Sequence, residues 1–208
     1  MNSILFDLDG TLVDSSIGIK SAFNYCFTQL QMEVPNDKQL SSFIGPPLEI
    51  TFARYFDNEN DISHAIKVFR EYYKEKGVFQ VKLYNDIDIL LKQLKQLEKK
   101  LFITTSKNEA MARLMLSNLG IEHFFDGIYG SIEKRFLKED IIKECLKEEK
   151  LALDDTVIIG DTKFDIIGGK YTNIHTLGVT WGFGTHEDLK NAKADKIVST
   201  PLDIIKNL

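Results

Sequence analysis

The chain predicts an α/β fold: a doubly wound, Rossmann-like parallel sheet that carries an inserted α-helical cap. Three observations lead there. From Leu83 onward, short apolar runs alternate with helical patterns, as in a parallel sheet with helices on both faces. One further apolar run, Ile4–Phe6, stands apart at the start. Between the two lies a stretch whose apolar residues recur only at helical spacing. The predicted division is residues 1–14 and 81–208 as the core and 15–80 as the cap.

Composition is compatible with this. The 208 residues, 43% apolar and 27% charged, supply a full core for one domain with an insertion or for two small ones. A net charge of −5 without a Lys/Arg-rich face argues against a nucleic-acid partner. Cys26 and Cys145 lie far apart in helical segments, which suits small apolar residues in a reducing compartment. The first strand leaves no room for a leader peptide, and no run approaches the ~18 apolar residues of a membrane span. The expectation is a cytoplasmic protein with no membrane partner; oligomeric state is left open between monomer and homodimer.

In order, Ile4–Phe6 is read as a buried strand. Three or four amphipathic helices follow. Their recurring sets are Ile19, Ala22, Phe23, Cys26, Phe27, Leu30; then Ile50, Ala53, Arg54, Phe56; then Ile62, Ala65, Ile66, Phe69, Tyr72, Tyr73. That aromatic stripe reads as the core of a small bundle, punctuated by Pro35 and Gly45-Pro46-Pro47. Ile87–Lys99 is a helix with a solvated Lys/Gln/Glu face, Leu101–Thr105 a strand, and Glu109–Leu119 a helix stopped by Gly120. Phe125–Tyr129 is a strand and Lys138–Lys150 a helix. Thr156–Ile159 is a strand, Phe164 to about Thr172 a helix, Ile174–Val179 and Lys196–Val198 strands, and Leu202–Leu208 a last helix.

Ligands of such sheets sit beyond the carboxyl ends of the strands, and polar chemistry gathers there. The opening run continues as Asp7-Leu8-Asp9-Gly10-Thr11-Leu12-Val13-Asp14. Residues of one parity on a strand point to one side, so Asp7 and Asp9 project together if strand geometry persists. Gly10 lets the backbone turn or approach a ligand. Adjacent carboxylates repel unless a cation or a proton lies between them. The pair invites a divalent metal, with one carboxylate as nucleophile and the other as acid/base. The plainer reading is an Asp-rich turn.

A second strand end offers Thr105-Ser106 ahead of a helix, where a hydroxyl and free N–H groups make an anion site. Thr105 is preferred to Thr104 because a polar residue and Lys follow it. Lys138 opens a helix, where a cation opposes the macrodipole by about 0.3–1 kcal/mol and an anionic partner would offset this; Arg135 competes for the role. Val157-Ile158-Ile159-Gly160-Asp161-Thr162-Lys163-Phe164-Asp165 delivers two carboxylates at a strand tip, hard ligands of the kind Mg²⁺ takes. Four histidines, His64, His123, His175 and His186, are scattered without ligand spacing.

In order, these four stretches resemble the motifs of the haloacid dehalogenase-like hydrolases, whose Asp-x-Asp members are mostly phosphatases. The resemblance covers essentially the whole chain and is nearest to the phosphoglycolate phosphatase-like branch, which carries a helical cap after the first motif. Phe43-Ile44-Gly45-Pro46-Pro47-Leu48 is similar to that branch's cap loop, which implies Gly45 and Pro46 as substrate contacts. Thr172 and Asn173 replace an Ala and Gly common in the family, and the Pro-rich flank of the third motif is missing.

The resemblance implies hydrolysis of a small phosphorylated metabolite. Asp7 would be the nucleophile and Asp9 the acid/base. Thr105, Ser106 and Lys138 would bind the phosphoryl oxygens, with Gly10 and Thr11 as further substrate contacts. Mg²⁺ would be held by Asp7, the Asp9 carbonyl, Asp161 and Asp165. A phosphomutase on the same core, or a non-catalytic phosphate-binding protein, are the alternatives. A phosphoglycolate carboxylate would want a cation from the cap, with Lys20 and Arg54 as candidates. Glu49 beside the loop argues against a second anion, and nucleotides, sugar phosphates and pyrophosphate stay open.

Overall fold

The computed structural model describes Met1–Leu208. Its centre is a six-stranded, all-parallel sheet. In chain order the strands are β1 (Ser3–Phe6), β4 (Lys100–Asn108), β5 (Gly127–Ser131), β6 (Thr156–Gly160), β7 (His175–Val179) and β8 (Lys196–Val198). A separate antiparallel pair joins β2 (Val13–Asp14) to β3 (Lys82–Leu83). The large sheet runs β5-β4-β1-β6-β7-β8. Strand β1 therefore lies between β4 and β6, with Ile4 opposite both Leu101 and Val157. The strand order reverses there, and a crevice opens beyond the tips of these three strands.

The three central strands read as unbroken apolar runs because both of their faces are covered. Alternate residues serve different cores. Ile4, Phe6, Leu101, Ile103, Val157 and Ile159 belong to the larger cluster, which continues into the helical segment. Leu5, Phe102 and Ile158 pack on the other face with Ile142, Cys145 and Ile174. Helices α5 (Ile87–Gln96) and α6 (Glu109–Asn118) follow β3 and β4. Helices α7 (Lys138–Glu148), α8 (Lys163–Tyr171), α9 (His186–Asn191) and α10 (Asp203–Asn207) complete the wrapping.

Between β2 and β3 the chain forms α1 (Ser16–Gln29), α2 (Asp37–Ser41), α3 (Leu48–Phe52) and α4 (Glu59–Glu75). The aromatic stripe is their common core: the Phe23 ring lies 5.0 Å from Phe43, 5.6 Å from Phe52 and 4.7 Å from Phe69. Cys26 and Cys145 are both buried and unpaired.

Several boundaries differ from expectation, each for a local reason. The β2–β3 pair and α9 were not anticipated; two-residue strands carry no periodicity, and α9 is one short helix capped by Thr185 accepting from the Asp188 N–H. Strand β4 runs on to Asn108, with its register against β5 shifting after Thr104. Strand β5 starts at Gly127 rather than Phe125, because the Phe125 N–H closes a turn on the Glu122 carbonyl. Helix α5 stops at Gln96 rather than Lys99, where Glu98 adopts a left-handed φ of 56°. No helix is long and apolar enough to cross a membrane.

Candidate active site

Strand geometry ends at Phe6, so the parity argument does not carry through to Asp9. Asp7 still follows the sheet, its N–H donating to the Ile159 carbonyl at 2.9 Å. The chain then turns over Leu8–Leu12, with Gly10 at φ +88°. This turn, rather than the strand, brings Asp9 to the same cavity that Asp7 lines. Gly10 is required there: a Cβ would sit 2.3 Å from Asp161 Oδ2.

Lys138 is the first residue of α7, and its ammonium is buried among anions. Nζ lies 2.8 Å from Asp7 Oδ1 and 2.7 Å from Asp165 Oδ1, and donates to the Thr104 carbonyl at 3.0 Å. These carboxylates offset the unfavourable macrodipole position. Arg135, the competing cation, turns away to Glu109 at 3.3 Å and Glu144 at 3.7 Å. Thr105 and Ser106 line the cavity and Thr104 does not; the hydroxyls of Thr104 and Ser106 are both buried without a partner.

Asp161 is fully buried at the tip of β6. Thr11 Oγ1 donates to its Oδ1 at 3.1 Å, and the Phe183 N–H donates to Oδ2 at 2.7 Å. The loop after β7 is thereby wrapped onto the first turn, and the Trp181 indole fastens it further by donating to the Thr11 carbonyl at 3.0 Å. Asp165 closes the capping box of α8: its Oδ2 accepts from Thr162 N at 3.0 Å and Oγ1 at 2.9 Å. Its Oδ1 has only the Lys138 ion pair, outside hydrogen-bond geometry.

Electrostatics follow from this burial. Desolvation lifts Asp7 from 3.8 to about 6; Lys138 opposes the rise, while Asp165 and Asp9 add to it. Burial, reinforced by Asp165 and Asp7, holds Asp161 well above the ordinary carboxyl range. For Lys138, burial acts downward, but Asp165 and Asp7 outweigh it and keep the ammonium charged. One ligand atom each from Asp7, Asp161 and Asp165 falls within a 4.8 Å cluster. Three buried carboxylates face one buried ammonium, and one Asp165 oxygen lacks a hydrogen bond. This all-oxygen donor set fits a hard divalent cation. The Asp9 carboxylate lies outside the cluster: one oxygen accepts a short hydrogen bond from Ser15 Oγ, and the other lies 3.0 Å from Lys107 Nζ.

The facing wall comes from the helical segment. Phe43, Ile44, Gly45 and Pro46 line the cavity, joined by Glu49, Phe69, Arg70 and Tyr73. Gly10 and Thr11, expected as substrate contacts, do not line it. Thr11 is fully buried with its hydroxyl on Asp161, and Gly10 packs on the same carboxylate. The cations expected from the cap are elsewhere too: Lys20 pairs with Asp37 at 2.7 Å, and Arg54 is exposed. Arg70 takes that place, 3.8 Å from Glu49. All four histidines are exposed.

Sequence reasoning missed Lys107, Tyr73, Arg70 and Ser15. Lys107 had a signal, since it follows Thr105-Ser106 directly. Tyr73 was masked by an amphipathic pattern that marks burial without showing what does the burying.

Comparisons with known proteins agree with this architecture. The family model described as haloacid dehalogenase-like hydrolase matches residues 4–179. A solved hydrolase of the haloacid dehalogenase-like family from Streptococcus pneumoniae is 45% identical, with a TM-score of 0.93 over 100% of this chain and 98% of that one. A structure described as a predicted phosphatase from Clostridium acetobutylicum is 37% identical, with a TM-score of 0.95 over 99% and 97% of the two chains. A 5'-nucleotidase of Pseudomonas aeruginosa is 32% identical over 191 residues, 90% of this chain and 86% of that protein. With Asp7, Lys138, Asp161 and Asp165 gathered at the switch point of a parallel sheet, the chain belongs to the haloacid dehalogenase-like hydrolases.

Proposed function

We propose that this phosphoric monoester hydrolase is Mg²⁺-dependent, acts on a small phosphorylated metabolite through an aspartyl-phosphate at Asp7, and uses residues 15–80 as a cap. The observation that carries the reading is the position of Asp7: buried, held by Lys138, clustered with Asp161 and Asp165, and sharing a cavity with a second carboxylate, Asp9.

In the first step, an Asp7 carboxylate oxygen bonds to phosphorus as the ester P–O bond breaks, and the leaving oxygen takes a proton from Asp9. In the second, Asp9 accepts a proton from water as the water oxygen bonds to phosphorus. The Asp7–phosphate bond then breaks, releasing phosphate. Thr105 and Ser106, which line the cavity, and Lys138, whose ammonium sits on Asp7, would bind the phosphoryl oxygens as charge shifts. Mg²⁺, held by Asp7, the Asp9 carbonyl and Asp161 with Asp165 in support, would supply positive charge to the phosphoryl group. Helices α1–α4 exclude bulk water. Arg70 faces Glu49, so the distal end of the cavity is charge-balanced and favours a leaving group without a second strong anion.

The test is phosphate release from a panel of phosphorylated metabolites with Mg²⁺, beside EDTA and Asp7→Asn. Metal-dependent turnover that disappears in the variant is the expected result. Turnover that persists in EDTA or in Asp7→Asn would remove the proposed mechanism.

A further inference from the structure

Arg135 competes with Lys138 in the sequence for a place beside the phosphate, and the fold puts it to another use. Its side chain is only 19% exposed and joins three elements. Nη2 donates to Glu109 Oε2 at 3.3 Å and to the Gly130 carbonyl at 3.2 Å, and Nη1 lies 3.7 Å from Glu144 Oε1. Glu109 opens α6, Gly130 lies near the end of β5, and Glu144 is on α7. Glu109 Oε2 also accepts from the Gly130 N–H at 3.2 Å. Arg135 Nε is buried without a partner. A buried donor left unsatisfied costs stability, so a gain in stability alone does not account for the arrangement. What the bridge spans is specific. On one side is Thr105–Asn108, where β4 shifts register against β5 and all four residues line the cavity. Glu109 is the next residue, and a Cβ on Gly130 would lie 2.5 Å from its Cα. On the other side is Lys138, reached from Arg135 through Phe136 and Leu137. The turn before it is tight: Ile132 and Arg135 exchange backbone hydrogen bonds of 2.9 and 3.1 Å. Lys138 itself donates to the Thr104 carbonyl. The cavity-lining segment of β4 is thus tied to the start of α7 at both its ends.

We propose that Arg135 and Glu109 are positioning residues that fix the spacing between the Thr105–Asn108 segment and the Lys138 ammonium, so that both meet the transferring phosphoryl group at once. This rests on the phosphatase reading above and adds two residues to it. Neither side chain lines the cavity or touches the substrate. A tetrahedral phosphate tolerates slack between its two holders, because it can settle on either. The five-coordinate phosphoryl group, with three oxygens in one plane, needs both in register, and a misplacement of about 1 Å can cost on the order of a hundredfold in rate. The bridge therefore acts on the transition state and leaves ground-state binding almost unchanged.

The experiment measures kcat and KM on the best substrate of the panel with Mg²⁺ present, together with inhibition by orthovanadate, which adopts the five-coordinate geometry, and by inorganic phosphate, which does not. The variants are Arg135→Met and Glu109→Gln; the second is nearly isosteric and carries the test by itself if the first does not fold. In each, kcat should fall about tenfold with KM changed by less than about threefold. The inhibition constant of vanadate should rise about tenfold and that of phosphate by less than about threefold. The double variant should be no worse than either single one, because the two residues act as a unit. Arg113→Met is the control: Arg113 pairs with the other Glu109 oxygen at 3.2 Å and donates to the Ile128 carbonyl at 2.9 Å, on β5 rather than α7, and its loss should show no split between the two inhibitors. Equal weakening of vanadate and phosphate, or a lower Tm with kcat unchanged, would reduce the bridge to a structural ion pair and overturn the proposal while leaving the phosphatase reading intact. A wild type that turns over no member of the panel would overturn that reading and the proposal with it.

Discussion

Without metal, the acidic cluster should make this protein more stable as the solution is acidified from pH 7 to pH 5. Burial raises Asp7 from 3.8 to about 6, so between those values the folded state binds more protons than the unfolded chain. Stability then falls as pH rises through this window, and it is recovered on acidification. The full effect of moving one carboxyl that far is about 3 kcal/mol, of which the interval from pH 7 to 5 captures about 1 kcal/mol. Asp161 is displaced the same way and adds to it. The carboxylates held below their ordinary value, Asp14, Asp155 and Asp195, lose their contributions only under more acidic conditions, outside the interval. For a chain of this length, 1 kcal/mol moves Tm by roughly 2–4 °C. The assay is thermal unfolding in EDTA at pH 7, 6 and 5, with Tm rising by at least about 2 °C across the series. Saturating Mg²⁺ should raise Tm at pH 7 and reverse the trend, because a bound cation favours the ionised carboxylates. A Tm that is flat or falling towards pH 5 in EDTA would refute the reasoning.

Other outcomes follow from single contacts. Lys138→Met should lower kcat by about 10²–10³, since it removes a preorganised cation beside Asp7, while Mg²⁺ still raises Tm through the three remaining carboxylates; steady-state kinetics beside thermal unfolding read both. Gly10→Ala combines a left-handed φ, costing about 1–2 kcal/mol, with displacement of Asp161 from Thr11 and Phe183, costing about 1–3 kcal/mol. A loss of about 3 kcal/mol should appear as a Tm lower by roughly 6–12 °C, and a Tm within 2 °C of wild type would count against it. Glu49→Gln leaves Arg70 without its counter-charge, so the kcat/KM of a carboxylate-bearing phosphate should rise relative to an uncharged one by up to about fivefold; an unchanged ratio would place the pair outside substrate recognition.

The sequence revealed the chemistry at the sheet edge better than the geometry that holds it. Asp7, Thr105 and Asp161 each follow an apolar run, and a parallel sheet leaves such residues at its carboxyl edge whatever the details of the strand. Lys138 was distinguishable because a cation at a helix start needs an anion. What remained hidden were contacts that span the chain. Thr11 looked free to meet a ligand, yet its hydroxyl is taken by Asp161, 150 positions away. Tyr73 was part of a helical apolar face, and nothing in that periodicity distinguishes a residue packed within its own bundle from one reaching a lysine on strand β4. The pair β2–β3 is held by register between distant dipeptides, which no local window contains.

That small pair has a consequence for how the chain folds. Strands β1 and β4 are direct neighbours in the sheet but are separated by about 90 residues of chain. When Val13–Asp14 has found Lys82–Leu83, the helical segment is tied off at its base and the path between β1 and β4 shortens to under 30 residues. Loop closure then costs about 1 kcal/mol less, equivalent to roughly a fivefold gain in the rate of bringing the central strands together. Four residues thus act as a clasp in the order of assembly: the excursion is gathered first, and the sheet then closes as though it were never there. A substitution at Leu83 that weakens this pairing should slow refolding more than it speeds unfolding, and the opposite partition would show that the clasp forms late.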